Sequence, residues 1–451
     1  MHPLLILLIA VAVILVMILR LRVNAFLALI AAATTVGILS PRIPLAEVMP
    51  KLATSFGGVC AKIGIIVALA AVIGECLLES GAADKITRVF IRLFGEKRSS
   101  LSLLTSGFVL GIPVFFDTVF YLLVPLARAM RVRTGRNYLV FIMSIVAGGI
   151  TTHCLVPPTP GPLAMAAALD VDLGVMIMVG LLVAGPMASA GWLFARYRDR
   201  TFPVPLRETP GVTLAELSEI AHGEEVRLPG FVWSATPIFL PVLLITANTF
   251  AGALGAGPGL RGALAFFGDP NFALLISAGI SMYVLASHKG YTLAQLTGPV
   301  DRAFAGAGLI ILITAGGGAF GGMLVEAGAG SRLASLAQSY HLPLLVLGFL
   351  LSALLKAAQG SSTVAMITAS SILAPLVVAA PPSFHPVYVA SAIGSGSLVG
   401  EWMNDSAFWV YKQMSGLTEI ETLKTLSPLL AVLGITGFLM SVLLAFVLPL
   451  R

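Results

Sequence analysis

Charged side chains are scarce in this sequence of 451 residues, where Asp, Glu, Lys and Arg together make up 11%. A soluble domain carries about 25%, so too few charges are present to cover a water-soluble protein of this length. Cysteine is scarce as well. The three cysteines are an odd number in apolar surroundings, which excludes a secreted disulfide scaffold. Because 58% of the residues are apolar, a disordered chain is also excluded.

Long apolar runs occupy most of the chain and predict an all-α, polytopic membrane protein, since a spanning helix needs about 20 such residues. The predicted spans lie near 3–19, 23–40, 63–79, 137–156, 172–195, 231–252, 270–287, 303–325, 386–402 and 428–449. Arg20 and Arg22 follow the first run, and no Lys or Arg precedes it. This order places the amino terminus outside the cell, and the count of crossings places the carboxyl terminus there too.

Basic residues between the apolar runs mark cytoplasmic loops. They form several groups instead of one patch, so no nucleic-acid partner is predicted. Two groups, within 85–98 and 128–136, flank the apolar segment 99–127, although a single crossing would put them on opposite sides. Gly111 and Pro113 break a helix inside this segment. We therefore predict that 99–127 is a re-entrant hairpin; the alternative is a kinked span with one basic loop outside.

The second half of the chain repeats the features of the first half in the same order. GECLLESGAADKI at 74–86 resembles GGMLVEAGAGSRL at 321–333, and each is followed by an apolar stretch broken at its centre. In the second half this stretch predicts a second hairpin over 341–380, which few basic residues flank. The two copies are therefore predicted to be inverted in the membrane, as in secondary transporters with discontinuous helices.

This repeat sets the predicted domain organisation, with about five transmembrane helices and one re-entrant hairpin in each copy. The parts are a first copy (1–197), a cytoplasmic linker (198–228) and a second copy (229–451). A moving transport part is predicted from 97–197 and 341–451, and a scaffold from 1–96 and 229–340.

Polar residues at the two hairpin tips are the first site candidates. Asp117 lies at the turn of the first hairpin, where a carboxylate costs about 2.5–3.5 kcal/mol on insertion scales, and Thr118 adds a hydroxyl. The alternative for Asp117 is a structural ion pair. The second tip consists of Gln359, Gly360, Ser361, Ser362 and Thr363. Hydroxyl residues that open a helix after a glycine suit an anion, because the free N–H groups and the helix dipole favour negative charge.

Two further breaks, one in each copy, complete the candidate site. Their polar residues are His153, Thr159 and Gly161 in the first copy and Asn404, Asp405 and Ser406 in the second. Asp117, His153 and Asp405 are the candidates to carry a proton, and each has a structural alternative. Histidine suits this role because it titrates near physiological pH, and the apolar neighbours of Asp117 favour its neutral form.

Two charged residues near the breaks have two interpretations each. Lys356 is either a cation that reaches towards the membrane surface or an electrostatic partner for the substrate. Glu401 either adds to the polar break or is a solvated charge at the cytoplasmic interface. The glycines at 316, 318 and 321 fit the spacing of a dinucleotide fingerprint but lie in a membrane helix, so we interpret them as close helix packing. No metal site or cofactor is predicted.

Five segments resemble the gluconate permease family of proton-coupled sugar-acid symporters, part of a wider ion-transporter superfamily. They are GIPVFFDTVF (111–120), PPTPGP (157–162), ILITAGGGAFGGMLVEAG (311–328), QGSSTVAMITA (359–369) and GSGSLVGEWMNDSAFW (394–409). The resemblance covers almost the whole chain. The family commonly has histidine where Thr159 stands, and Ser-His-Val where Glu401, Trp402 and Met403 stand.

This resemblance implies an inner-membrane symporter, with a homodimer contact in the scaffold, that takes up a small organic anion such as gluconate together with a proton. The substrate carboxylate is expected at Ser361, Ser362 and Thr363, and its hydroxyls at Asn404 and Thr159. Sodium coupling, and D-serine or another small organic acid as substrate, are the near alternatives. The rival classes are a channel, which needs a continuous pore, and a membrane enzyme, which needs a nucleophile beside a base.

Overall fold

The computed structural model describes residues 3–95, 98–209, 228–253, 257–329 and 343–450. Within these residues the chain is built of helices, and eight helical segments are long and apolar enough to cross a membrane. The predicted all-α polytopic fold is therefore confirmed. The first two residues of the predicted second hairpin (341–342) and most of the predicted linker (210–227) lie outside the described residues.

The first half of the described chain contains nine helices. They are α1 (Pro3–Leu15, continued by a π-helical turn Val16–Arg20), α2 (Ala25–Leu39), α3 (Leu45–Glu79), α4 (Ala82–Phe94), α5 (Ser99–Leu110), α6 (Phe116–Thr134), α7 (Tyr138–Leu155), α8 (Pro160–Leu169) and α9 (Leu173–Thr201). The second half contributes α10 (Phe231–Ala253), α11 (Pro258–Phe267), α12 (Pro270–Lys289), α13 (Leu293–Glu326), α14 (Leu344–Gln359), α15 (Ser362–Ala379), α16 (Val387–Gly396), α17 (Ser406–Ser415) and α18 (Glu419–Val447).

The order of helices in the second half follows that in the first. The long helices α3 and α13 have 35 and 34 residues, and the last helices of the copies, α9 and α18, have 29 each. Between them come a hairpin pair, α5–α6 or α14–α15, and an interrupted pair, α7–α8 or α16–α17. This order of elements is the one that the predicted repeat requires, and the repeat itself stays a prediction.

Contacts between the copies come in matching pairs. Helix α3 packs against α12, and its counterpart α13 packs against α2; in the same way α15 packs against α8, and α6 against α17. The counterparts α3 and α13 also contact each other, as do α9 and α18. Such reciprocal contacts are what a two-fold relation produces. The inverted orientation of the copies in the membrane remains a prediction from the charge distribution.

Each predicted hairpin consists of two packed helices with a short break between them. In the first, α5 ends at Leu110 and α6 begins at Phe116; in the second, the break is only Gly360 and Ser361. Helix α6 continues to Thr134, seven residues past the predicted end of the segment at 127, because its last two turns carry three arginines and a hydropathy pattern does not distinguish them from a basic loop. Re-entry from one side of the membrane remains a prediction.

The core is centred on the two interrupted helices. All residues of α7 and of its counterpart α16 are buried. Glycines allow this: a Cβ on Gly148 of α7 would lie 2.1 Å from the carbonyl oxygen of Leu104 in α5. The interpretation of the α13 glycines as packing residues is confirmed, since a Cβ on Gly318 would lie 2.2 Å from Val59 Cγ2.

Several predicted spans have different limits in the structure; α9 ends at Thr201 instead of near 195, and α18 begins at Glu419 instead of near 428. Helices α3 and α13 begin at Leu45 and Leu293, well before the apolar runs at 63 and 303, because each starts with a polar section that the hydropathy pattern does not include. Helix α16 ends at Gly396 instead of near 402. The chain then turns through Gly400, whose φ of +93° is in the left-handed region that favours glycine.

Candidate functional site

A cavity of about 240 Å³ lies where the tips of both hairpins meet α7 and the start of α17. Most of the predicted site residues line it: Asp117, His153, Gln359, Gly360, Ser361, Ser362, Thr363, Asn404, Asp405 and Ser406. The remaining lining side chains are apolar, among them Phe115 and Ile150. The fold therefore brings polar residues from four separate breaks to one small cavity.

Three predicted site residues lie outside this cavity. Thr118 follows Asp117 in α6, and one step along a helix turns a side chain by about 100°. Thr159 is buried, and its hydroxyl donates to the carbonyl of Val156 at 2.7 Å, so it serves the break between α7 and α8. Gly161 is packed against Met366, whose Cε would be 2.2 Å from an added Cβ.

The tip of the second hairpin exposes the start of α15 to the cavity. Gly360 has a φ of +92°, and a Cβ on it would lie 2.3 Å from the carbonyl oxygen of Asn404. Ser361 is the N-cap of α15, and its hydroxyl accepts from the Val364 N–H at 3.3 Å. Ser362 donates to the carbonyl of Ser397 at 2.8 Å. The first N–H groups of a helix have no partner within it, so this end of α15 can meet an anion.

Three lining side chains each keep a buried polar atom without a hydrogen-bond partner among the described residues. These atoms are Gln359 Nε2, Asn404 Oδ1 and His153 Nδ1. The Asn404 amide nitrogen, in contrast, donates to the carbonyl of Ala357 at 3.0 Å. An unsatisfied buried polar atom costs about 1–3 kcal/mol. A ligand with both donors and acceptors would remove this cost.

A buried cluster of Lys356, Glu401 and Asp405 supports the cavity from behind. Lys356 Nζ lies 2.5 Å from a carboxylate oxygen of Glu401 and donates to Asp405 and to the carbonyl of Gly360. The side chains of Lys356 and Glu401 are both fully buried. Both the interpretation of Lys356 as a cation near the membrane surface and that of Glu401 as a solvated charge are therefore wrong.

The carboxylates at the two breaks have different surroundings. Asp405 is the N-cap of α17, where its Oδ1 accepts from the Ala407 N–H at 3.0 Å. Asp117 lies in the first turn of α6, where the helix dipole favours negative charge. His153 packs beside Phe115, with 5.9 Å between ring centroids. Among the described residues, no cluster of three His, Cys, Asp or Glu side chains is able to hold a metal ion.

Comparison with known proteins identifies the family. The sequence profile of the GntP family permeases matches residues 2–447. This chain is a member of the GntP permease family. It is 34% identical over 429 residues to a gluconate permease of Pseudomonas aeruginosa, with 94% of each chain covered. To the L-idonate transporter of the Gnt-II system of Escherichia coli K12 it is 30% identical over 422 residues, which cover 92% of this chain and 94% of the relative.

Two solved structures share the fold of this GntP-family chain. The YdaH transporter of Alcanivorax borkumensis matches with a TM-score of 0.65 and 15% identity over 94% of this chain and 98% of its own. MtrF of Neisseria gonorrhoeae, described as an antimetabolite efflux pump, matches with a TM-score of 0.67 and 15% identity over 90% and 85%. At this identity the likeness concerns the fold alone.

Proposed function

We propose that the chain is a secondary active transporter that takes up gluconate or a related small hydroxy-carboxylate together with a proton across the inner membrane. The observation that carries this proposal is the cavity between the hairpin tips, with its three unsatisfied buried polar atoms beside a helix N-terminus. A sugar acid carries a carboxylate for the helix end and hydroxyls for the remaining groups. The names of relatives that carry gluconate or L-idonate support the same substrate class.

The substrate carboxylate is proposed to bind at the start of α15, near Ser361, Ser362 and Thr363. Its hydroxyls reach Asn404 Oδ1 as donors and Gln359 Nε2 as acceptors, because these atoms lack other partners among the described residues. Thr118, Thr159 and Gly161 are not proposed as contacts, since they lie outside the cavity and the last two stabilise the neighbouring break.

Charge balance supports coupling to a proton. The site region holds three carboxylates, those of Asp117, Glu401 and Asp405, and one buried ammonium, that of Lys356. An anionic substrate would add a further negative charge to a poorly solvated place, which is costly unless a proton enters with it. Asp117, Asp405 and His153 line the cavity and are the proposed carriers.

Movement of one part of the protein against another is proposed to carry the site across the membrane. The transport part, 97–197 and 341–451, contains both hairpins and the cavity. The scaffold, 1–96 and 229–340, contains α3 and α13, which α8 and α15 contact. Rocking of the first part against this surface would open the cavity to either side. The scaffold is also proposed to form a homodimer contact.

Uptake into proteoliposomes tests the proposal. Over a panel of acids, an inward proton gradient is expected to drive saturable accumulation of gluconate or a close relative, whereas a sodium gradient alone is not. Accumulation driven by a sodium gradient would favour a sodium-coupled carrier. Accumulation of D-serine and of no sugar acid would make D-serine the proposed substrate. Absence of any gradient-driven uptake would contradict the proposal.

A pair of threonines provides a matched test of the site. Thr118 and Thr363 occupy similar places, since each lies near the start of the second helix of its own hairpin (α6 and α15). Only Thr363 lines the cavity. Thr363→Val is expected to raise the KM for the acid about 10-fold, the effect of losing one hydrogen bond to a charged group. Thr118→Val is expected to change the KM less than twofold. Equal effects of the two substitutions would argue against this cavity as the binding site.

A further inference from the structure

The ammonium of Lys356 is held by oxygen atoms in the way that a metal cation is held. Its three partners are the carbonyl of Gly360, a carboxylate oxygen of Asp405 and, at 2.5 Å, a carboxylate oxygen of Glu401. The Lys356 side chain has no exposed surface. It lies at the carboxyl end of α14, where the helix dipole favours a positive charge.

Backbone carbonyls at the ends of broken helices hold the coupling sodium ion in secondary transporters with discontinuous helices, and carboxylate oxygens are common ligands of hard metal cations. In this chain such a position is filled by a covalently attached cation. We propose that Lys356 takes the place of a coupling metal ion, so that transport proceeds without sodium. This inference rests on the proposed function, and it specifies how the proposed carrier works without a coupling metal ion.

The energetics of the cluster support this role. A buried ammonium or carboxylate costs several kcal/mol unless it is paired, and here one ammonium serves two carboxylates. Without Lys356, the carboxylates of Glu401 and Asp405 would face each other beside the Gly360 carbonyl with no cation between them. A small monovalent cation would then gain a site that the wild-type protein fills itself.

Thermal unfolding of purified Lys356→Ala in sodium chloride and in choline chloride tests the proposal, with Lys356→Arg as the matched control that keeps the charge. For the alanine variant, saturating sodium is expected to raise the melting temperature by about 5 °C relative to choline. For the wild type and the arginine variant, the expected difference in melting temperature between sodium and choline is below about 1 °C, because a salt that does not bind the folded state does not stabilise it. Wild-type uptake should be unchanged when choline replaces sodium.

Two results would overturn the proposal: sodium-stimulated uptake by the wild type, or a folded alanine variant that responds to neither sodium, lithium nor potassium. If Lys356→Ala is not recovered folded, the double variant Lys356→Ala/Glu401→Gln replaces it, because it also removes one of the two facing carboxylates. The same comparison of sodium with choline is made on this variant, and the expected rise in melting temperature is smaller. The unfolding measurement needs no substrate. A wild type that takes up no acid would therefore refute the proposed function without bearing on the cation position.

A basic crevice of about 450 Å³ lies where the predicted transport part meets the start of the predicted linker. Four arginines line it, together with polar side chains that include Ser100 and Trp192; the arginines are Arg98, Arg136, Arg196 and Arg200. They come from the start of α5, the turn before α7 and the end of α9. One acid, Asp199, also lines the crevice, but its Oδ1 accepts from the Leu139 N–H at 2.9 Å.

Most of the arginines in this crevice have no acidic partner among the described residues. In the described part of the chain, Arg98, Arg136 and Arg200 form no ion pair. A positive-inside distribution accounts for basic loops but not for their convergence on one cavity. We infer that the crevice binds a phosphate group, which either an anionic lipid headgroup or soluble phosphate supplies.

Two double variants that remove equal charge test this crevice. Arg98→Gln/Arg136→Gln alters it, and Arg20→Gln/Arg22→Gln removes two arginines from another predicted cytoplasmic loop. Phosphatidylglycerol vesicles, compared with phosphatidylcholine, are expected to raise the melting temperature of the wild type and the second variant by about 5 °C, but not that of the first. The same pattern with inorganic phosphate in detergent would identify a soluble ligand.

An equal response of all three proteins to both probes, or no response of any, would overturn the inference. If Arg98→Gln/Arg136→Gln does not fold, the single variant Arg200→Gln carries the same test, with a partial loss of the shift as the expected result.

Discussion

Lys356 and Asp405 form a buried ion pair that joins the tip of the second hairpin to the start of α17. Asp405 serves both elements at once: one carboxylate oxygen accepts from Lys356, and the other accepts from the Ala407 N–H at 3.0 Å and caps α17. The charge of Asp405 is therefore coupled to the geometry of both breaks. A proton that neutralised this carboxylate would weaken the ion pair and leave the cap in place.

Asp405→Asn separates these two roles. Asparagine is as good an N-cap as aspartate, so α17 should keep its cap while the ion pair with Lys356 is lost. Glu401 still neutralises the lysine, so we expect a loss of stability at or below the roughly 3–5 kcal/mol of a broken buried pair. Proton-driven accumulation should fall at least 10-fold. Uptake and thermal unfolding of the purified variant measure the two effects.

Asp405→Ala is the matched comparison, because it removes the cap as well. It should be less stable than Asp405→Asn by about 1 kcal/mol, the usual value of an N-cap. Equal stability of the two variants would show that the cap contributes little. Wild-type accumulation by Asp405→Asn would remove Asp405 from the proton path.

Asp117→Asn tests the other cavity carboxylate. The substitution keeps the size and polarity of the side chain but removes its ability to carry a proton. If Asp117 carries the coupled proton, the variant should bind the acid and exchange it across the membrane at near wild-type rates, while accumulation driven by a proton gradient is lost. Counterflow and gradient-driven uptake in the same proteoliposomes measure the two.

The other outcomes for this variant are equally informative. Accumulation near the wild-type level would make Asp117 a structural residue and leave Asp405 or His153 as carrier. Loss of substrate binding together with transport would assign Asp117 to the substrate or to the shape of the hairpin tip.

Much of the candidate site could be predicted because the chain breaks its helices in the same places in both copies. Asp117, Gln359 and Asn404 stand out as polar residues at glycine- or proline-marked breaks inside apolar runs, and all three line the cavity. Thr159 has the same signal but points to its own break. Sequence indicates that a polar residue lies at a break; it does not indicate to which side the side chain turns.

The buried cluster behind the cavity could not be predicted in this way. Lys356 precedes a hairpin tip, and Glu401 follows the glycine-rich end of α16, so each is also compatible with a helix end near the membrane surface. Their contact depends on the packing of α14 against α16, which no local pattern determines. The available signal was Glu401 itself, which departs from the Ser-His-Val expected from the family resemblance, because an acid beside a break in an apolar run needs a partner.

His385, in the loop between α15 and α16, is expected to make stability depend on pH. Burial lowers the pKa of His385, and Asp172 opposes this only in part. A lowered pKa means that the folded state favours neutral histidine, so His385 has no effect well above its unfolded pKa of about 6.5. Below it, stability is lost as the pH falls through the folded pKa.

His385→Asn should remove this contribution. His385 Nδ1 accepts from the Val387 N–H at 3.2 Å, and an asparagine oxygen can accept a similar bond without titrating. Between pH 7 and pH 5 we expect the melting temperature of the wild type to fall by more than that of the variant, by about 2 °C. Parallel pH profiles of the two proteins would show that His385 does not contribute.

Gly360 and Gly306 provide a contrast between a glycine that the site requires and one that it does not. Gly306 is in α13, and a Cβ added to it would meet nothing within 4 Å. Gly306→Ala should therefore leave transport unchanged and stabilise the helix by up to about 1 kcal/mol. Gly360 combines a φ of +92° with a contact of 2.3 Å between an added Cβ and the carbonyl oxygen of Asn404.

Gly360→Ala should consequently displace Asn404 and tilt the start of α15, the two elements proposed to hold the substrate. A left-handed conformation costs a residue with a Cβ about 1–3 kcal/mol, which a folded protein tolerates, so the purified variant should be monodisperse. Its uptake of the acid should nevertheless fall at least 10-fold, because both contacts move. Near wild-type uptake by Gly360→Ala would show that the tip adapts to a Cβ, and that the close approach of Gly360 to Asn404 does not position the substrate.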